Sequence, residues 1–153
     1  MRRQDKYPDT ETFRFYNANS HNHYTTDCVL RAVSTALNQT WEQTLTEMYE
    51  IGLKYGYDPT ADVVIAKYME NKGWLKCKQP RKDDNTKYTG KEFCRYIQKY
   101  SYWITELGFP KCDTTRFLAN IGGHHIVAIM DGKVNDTWNS TSGCIGNVWV
   151  KPI

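Results

Sequence analysis

The sequence predicts an α+β fold in one domain, with helices first and a small antiparallel sheet last. Three observations predict it. Apolar spacing is helical through most of the chain and becomes alternating after about residue 123. The stretch "DCVLRAVSTALN" is apolar on all sides except one narrow stripe, which is the pattern of a buried helix. Asp131-Gly132 sits between two alternating runs, a strong signal for a tight hairpin. At 153 residues the chain is long enough for one domain with a real core, so residues 1–153 are read as a single unit.

In chain order, residues 1–26 are polar and aromatic, with "NANSHNH" as a loop. The buried helix covers about 27–38, its stripe formed by Arg31, Ser34, Thr35 and Asn38. A second helix, about 41–55, starts at Thr40 with Gln43 in capping-box position, and a third, about 61–72, ends at Gly73. "GWLKC" reads as a short strand and residues 78–88 as a charged loop. Thr89 and Glu92 form another capping box, opening a helix that runs through Lys99. "DTTRFLANIGG" reads as one more short helix, ended by its glycines. "HIVAIM", "VNDTWN" and "GNVWVKP" then read as three antiparallel strands.

Composition narrows the function classes. Charged residues are 24% and hydrophobic ones 40%, as in ordinary globular proteins. The net charge of +3 is spread among interspersed charges of both signs, which is no nucleic-acid footprint. The cluster "KQPRK" is followed at once by Asp83 and Asp84 and reads as a solvated loop. No stretch has the apolar length of a membrane span, and the N-terminus lacks the apolar core of a signal peptide, so a cytoplasmic location is expected. Five cysteines without a C-x-x-C pair argue against a disulfide framework there. Cys77, Cys94, Cys112 and Cys144 read as ordinary small residues, Cys144 in a surface loop.

Cys28 differs, because it falls in the first turn of the most buried helix. Unpaired N–H groups and the positive end of the helix dipole favour a thiolate at such a place. It also lies at the border of the polar stripe, half shielded and half accessible. A thiolate nucleophile needs a base, and a base needs an orienting group.

The hairpin supplies both. With Asp131 and Gly132 as turn residues, Met130 pairs with Lys133, Val127 with Asp136 and His125 with Trp138. Paired residues share a face, so His125, Asp136 and Trp138 point the same way, with Asp136 on the diagonal to His125. An imidazole–carboxylate bond there would fix the tautomer and support an imidazolium. His124 points to the opposite face, and a one-residue slip would put His124 with Asn139 in that place.

These residues carry a resemblance. A cysteine at the start of a central helix, a histidine at the start of a strand and an aspartate one hairpin later resemble the papain-like cysteine peptidases, in the compact form of bacteriocin-leader-processing peptidases. "TTDCVLRAVSTALNQTWEQ" and "HIVAIMDGKVNDTWNS" are similar to small uncharacterised bacterial and phage proteins of that fold. The likeness covers about a third of the chain strictly, at its two ends. It implies a papain-like α+β fold and a hydrolase of peptide or isopeptide bonds without a cofactor. Cys28 would be the nucleophile, His125 the general base and Asp136 the orienter. Papain-like enzymes place an amide side chain shortly before the cysteine as an oxyanion donor, which gives the role to Asn19 or Asn22, where the family commonly has glutamine. His124 stands where the family has a small residue. Trp138 would line the substrate cleft and shield the His125–Asp136 pair. The implied partner is a peptide or protein substrate, not nucleic acid or membrane.

Three other readings compete. "SHNHY" puts His21 and His23 at alternate spacing, and Cys28, His124 or His125 would complete a zinc set; the reading favoured above assigns no metal. A second reading is a protein that uses the fold for binding alone, as an inhibitor without turnover. A transglutaminase-like or deamidating acyl transferase would use the same Cys-His-Asp order with a different acceptor.

Overall fold

The computed structural model describes all residues, 1–153, as an α+β fold built on one six-stranded sheet. The elements run α1 (Arg3–Lys6), β1 (Phe13–Phe15), α2 (Cys28–Leu37), α3 (Trp41–Tyr55), α4 (Asp62–Asn71), β2 (Leu75–Cys77), α5 (Gly90–Tyr100), a 3-10 segment (Ser101–Leu107), β3 (Arg116–Ile121), β4 (His125–Met130), β5 (Lys133–Asp136) and β6 (Ile145–Val150). Strand order is β1-β5-β4-β3-β6-β2, antiparallel throughout except for the parallel pair β1–β5. No helix is long and apolar enough to cross a membrane.

Local chemistry sets the helix ends. Thr40 accepts from the Gln43 N–H at the start of α3, but Gln43 turns its own amide to Glu47, so only half of the expected box forms. Thr89 and Glu92 make both halves at the start of α5. Gly56 closes α3 at φ 78°, a left-handed conformation that costs glycine least.

Two apolar layers fill the space on either side of the sheet. Phe117, Ala119, Ile121, Val127, Ile129 and Val134 pack under α5, around the fully buried Phe93. Leu118, Ile126, Ala128 and Trp149 pack under α2 and α4 on the other face. The segment 113–123, expected as a helix, is therefore corrected: Arg116–Ile121 is the strand β3 and lies between β4 and β6. Covered on both faces, it presents an almost unbroken apolar run that periodicity alone does not separate from a buried helix. The two glycines read as its helix stop instead make a hairpin turn, Gly122 at φ 62° and Gly123 at φ 96°, and Ile121 pairs with His125 across it.

The expected hairpin at Asp131-Gly132 is present, with φ 52° and 74° at the two turn residues and Met130 opposite Lys133. Positive φ at both is the signature of the type I′ turn. Strand β5 ends at Asp136, short of the predicted "VNDTWN", and Trp138 lies beyond it. β1, which lies inside the polar and aromatic segment 1–26, adds to the outer edge of β5 and pairs Phe15 with Asp136.

Candidate active site

Three elements bring their ends together. Cys28 opens α2, His125 opens β4 and Asp136 closes β5. Helix α2 lies across β4 and packs Ala32, Val33 and Ala36 against the sheet, which sets the cysteine beside the first residue of that strand. The Tyr16 N–H donates to the Asp136 carbonyl at 2.9 Å, so β1 fixes the backbone that carries the carboxylate.

His125 Nε2–H donates to Asp136 Oδ2 at 2.5 Å. That contact uses Nε2 and leaves Nδ1 for a second partner. The Cys28 thiol lies within hydrogen-bonding reach of the same ring, although no well-aligned sulfur–nitrogen bond is closed. Catalytic bonds in free enzymes are often long or poorly aligned in this way.

The Asp136 side chain is almost completely buried, at 2% exposure. Its two oxygens collect four donors, about the full acceptor capacity of a carboxylate. Oδ2 takes His125 and the Ser140 hydroxyl at 3.0 Å; Oδ1 takes the Thr137 N–H at 2.7 Å and Arg31 Nη1 at 3.2 Å. Arg31 is itself buried and donates its Nε to Asp27 Oδ1 at 2.9 Å. Asp27, the residue before the nucleophile candidate, accepts on Oδ2 from Asn19 Nδ2 at 3.1 Å and from the Trp41 indole at 3.0 Å. A continuous buried network thus runs from Asp27 through Arg31 and Asp136 to His125.

This network sets the charges. For Cys28 the His125 ring is the largest influence and holds the thiol below its ordinary pKa against the opposing effect of burial, helped by the Ile126 backbone N–H and by Arg31. Burial pushes the His125 imidazolium down, but the hydrogen bonds and charges of Asp136 and Cys28 outweigh it and raise the pKa to about 9. Burial pushes the Asp136 carboxyl up, and His125, the Thr137 N–H and Arg31 together bring it below the usual carboxylate range. Both shifts run in the direction that favours a thiolate–imidazolium pair over a neutral thiol and imidazole. The other cysteines lack this: Cys77, Cys94 and Cys112 are buried, and burial raises the thiol pKa of each.

The remaining predicted residues fall as follows. Trp138 stacks at a 37° tilt with its ring 5.1 Å from that of His125 and stays 37% exposed, so it covers one side of the imidazole. His124 is exposed in the hairpin turn, away from the Asp136 contact. Asn19 is buried with its amide donated to Asp27 and its carbonyl accepting from the His21 N–H at 2.9 Å, which makes it an anchor for the loop. Asn22 is exposed at φ 57°, its carbonyl turned to Asn17, and its own Nδ2 makes no bond within the chain. His21 and His23 face each other with ring centroids 5.9 Å apart, and no three His, Cys, Asp or Glu side chains gather as a metal-binding set.

Sequence reading missed Asp27, Arg31, Trp41 and Ser140. The Asp27–Arg31 spacing of four is a readable helix pair, but by spacing alone Arg31 is one member of a polar stripe, with no partner indicated. A cavity of about 560 Å3 lies off the Cys28–His125–Asp136 cluster and is lined by Arg14, Tyr16, Ser34 and Trp41. A smaller one of about 150 Å3 opens directly beside His125 and Trp138. Size and chemistry therefore disagree on where the site lies, and the perturbed charges favour the smaller cavity. No family model, curated protein or solved structure matches the chain.

Proposed function

We propose that the protein is a cysteine-dependent hydrolase of the papain-like type that cleaves peptide or isopeptide bonds. One observation carries the reading: a helix-terminal thiol within reach of an imidazole whose far nitrogen is held at 2.5 Å by a buried carboxylate. Nucleophile, base and orienter in series are what thiol acyl transfer requires.

In the proposed cycle the Cys28 thiolate attacks the carbonyl carbon, forming a C–S bond and pushing the carbonyl electron pair onto oxygen. The backbone N–H of Cys28 and the Nδ2 of Asn22 are the donors proposed for that oxyanion; Asn19, tied to Asp27, is the less suited of the two asparagines. As the oxyanion collapses, the C–N bond breaks and the departing nitrogen takes the proton from imidazolium His125. The neutral ring then accepts a proton from water. The hydroxide equivalent attacks the thioester, the C–S bond breaks, and the thiolate–imidazolium pair is restored. Asp136 holds the ring orientation and stays ionised throughout.

A randomised library of unstructured peptides, with products mapped by mass, tests the reading. Cleavage is expected with the wild type and absent with Cys28→Ala. Cleavage that survives Cys28→Ala would contradict it.

A further inference from the structure

Resting on the hydrolase reading, we infer that the departing half of the substrate is an extended peptide bearing a carboxylate a few residues beyond the scissile bond, recognised by Lys87. The proton that leaves with the amine comes from His125, so the departing chain must lie on the imidazole side of the sulfur. On that side the 150 Å3 cavity beside His125 and Trp138 reaches Gly122 and Gly143. Gly122 also lines a second cavity of about 490 Å3, so the two adjoin and continue away from the ring. Together they offer room for several residues, where a deamidase releasing ammonia would need none.

The walls define the chemistry. Asn120, Asn147 and Gln79 line the second cavity with carboxamides. Gln79 spends its Nε2 on the Ile145 carbonyl at 2.7 Å, which leaves its carbonyl free. Carboxamides offer both donors and acceptors and suit the alternating groups of a peptide backbone. Lys87 is exposed and is the one charged side chain on this lining. The floor stays low because Gly143 meets the Gly122 backbone, where an added Cβ would come within 3.0 Å of the amide nitrogen. A single positive charge on an otherwise neutral lining selects an anionic group.

The same peptide library tests this from the products. Wild-type cleavage should enrich Asp or Glu, or the free C-terminus, a few residues into the departing half. Shortening that half of the best substrate to a simple amide should lower kcat/KM by about tenfold or more, because remote binding is used in the transition state. Lys87→Glu should abolish the acidic preference and replace it with a basic one. Paired peptides, one with an internal acid and an amidated end, the other with a free end and no acid, distinguish the two carboxylate sources. Cys28-dependent cleavage with no bias in the departing half, or a bias unchanged by Lys87→Glu, would overturn this inference and leave the hydrolase reading standing. Failure of the wild type to cleave any library member would overturn the hydrolase reading and this inference with it.

Discussion

His125 and Asp136 are eleven residues apart in sequence and 2.5 Å apart between Nε2 and Oδ2, joined by a hairpin whose register is fixed at Met130–Lys133. The carboxylate selects which ring nitrogen carries hydrogen toward it and so which faces Cys28. Asp136→Asn presents an amide donor to the same nitrogen and favours the wrong tautomer. The rate on any substrate cleaved by the wild type should fall on the order of 10^3–10^4-fold. Rates, with circular dichroism to establish the fold, check this; near-wild-type turnover by a folded variant would contradict it.

Arg31 sits between two buried carboxylates, Asp27 and Asp136, whose pKa values are both lowered in spite of burial. A depressed folded pKa contributes stability that is complete above the unfolded value of about 3.9 and is lost as pH falls through the folded value. The wild type should therefore keep these contributions until the pH falls below the ordinary carboxylate range. Arg31→Met removes the cation and raises both carboxyl pKa values, so acid unfolding should begin at higher pH. At neutral pH the variant should lose about 3–5 kcal/mol, because it leaves buried charge uncompensated. Tryptophan fluorescence across an acid titration, with urea unfolding at pH 7, measures both.

Thr89→Ala tests the fold apart from the chemistry. It removes both the side-chain acceptor for the Glu92 N–H and the reciprocal geometry of the box that starts α5. A stability loss of about 0.5–2 kcal/mol is expected. Denaturant midpoints check it; an unchanged midpoint would contradict the capping account.

Legibility in the sequence followed the range of the interactions. Helices α2 to α5 were readable because periodicity and caps such as Thr89–Glu92 are local. The Asp131-Gly132 turn was readable for the same reason, and through it the face shared by His125 and Asp136. Strand β3 was not, because burial on both faces erases the alternation that marks a strand. β2 falls within the strand read at "GWLKC", whereas β1 is defined by its pairing with β5, which no local spacing announces. Arg31 shows the same limit inside the site. Its partner Asp136 lies 105 residues away, so the sequence shows a polar stripe and not the bridge it makes. The choice between Asn19 and Asn22 is likewise not local, because it turns on the contact of Asn19 with Asp27. The conjunction of Cys28 with His125 came from a chemical requirement, the need of a thiol for a base.

That conjunction is tested most directly by iodoacetamide labelling at limiting reagent, with each cysteine followed by mass. Cys28 should label ahead of the exposed Cys144 at pH 7, and its rate should hold up below the ordinary thiol range because His125 keeps the thiolate populated. In His125→Ala the advantage should collapse and the labelling curve should move to higher pH, by about tenfold in rate at neutral pH for each unit of displacement. Equal labelling of Cys28 and Cys144 in the wild type, or a Cys28 rate indifferent to His125→Ala, would contradict the account.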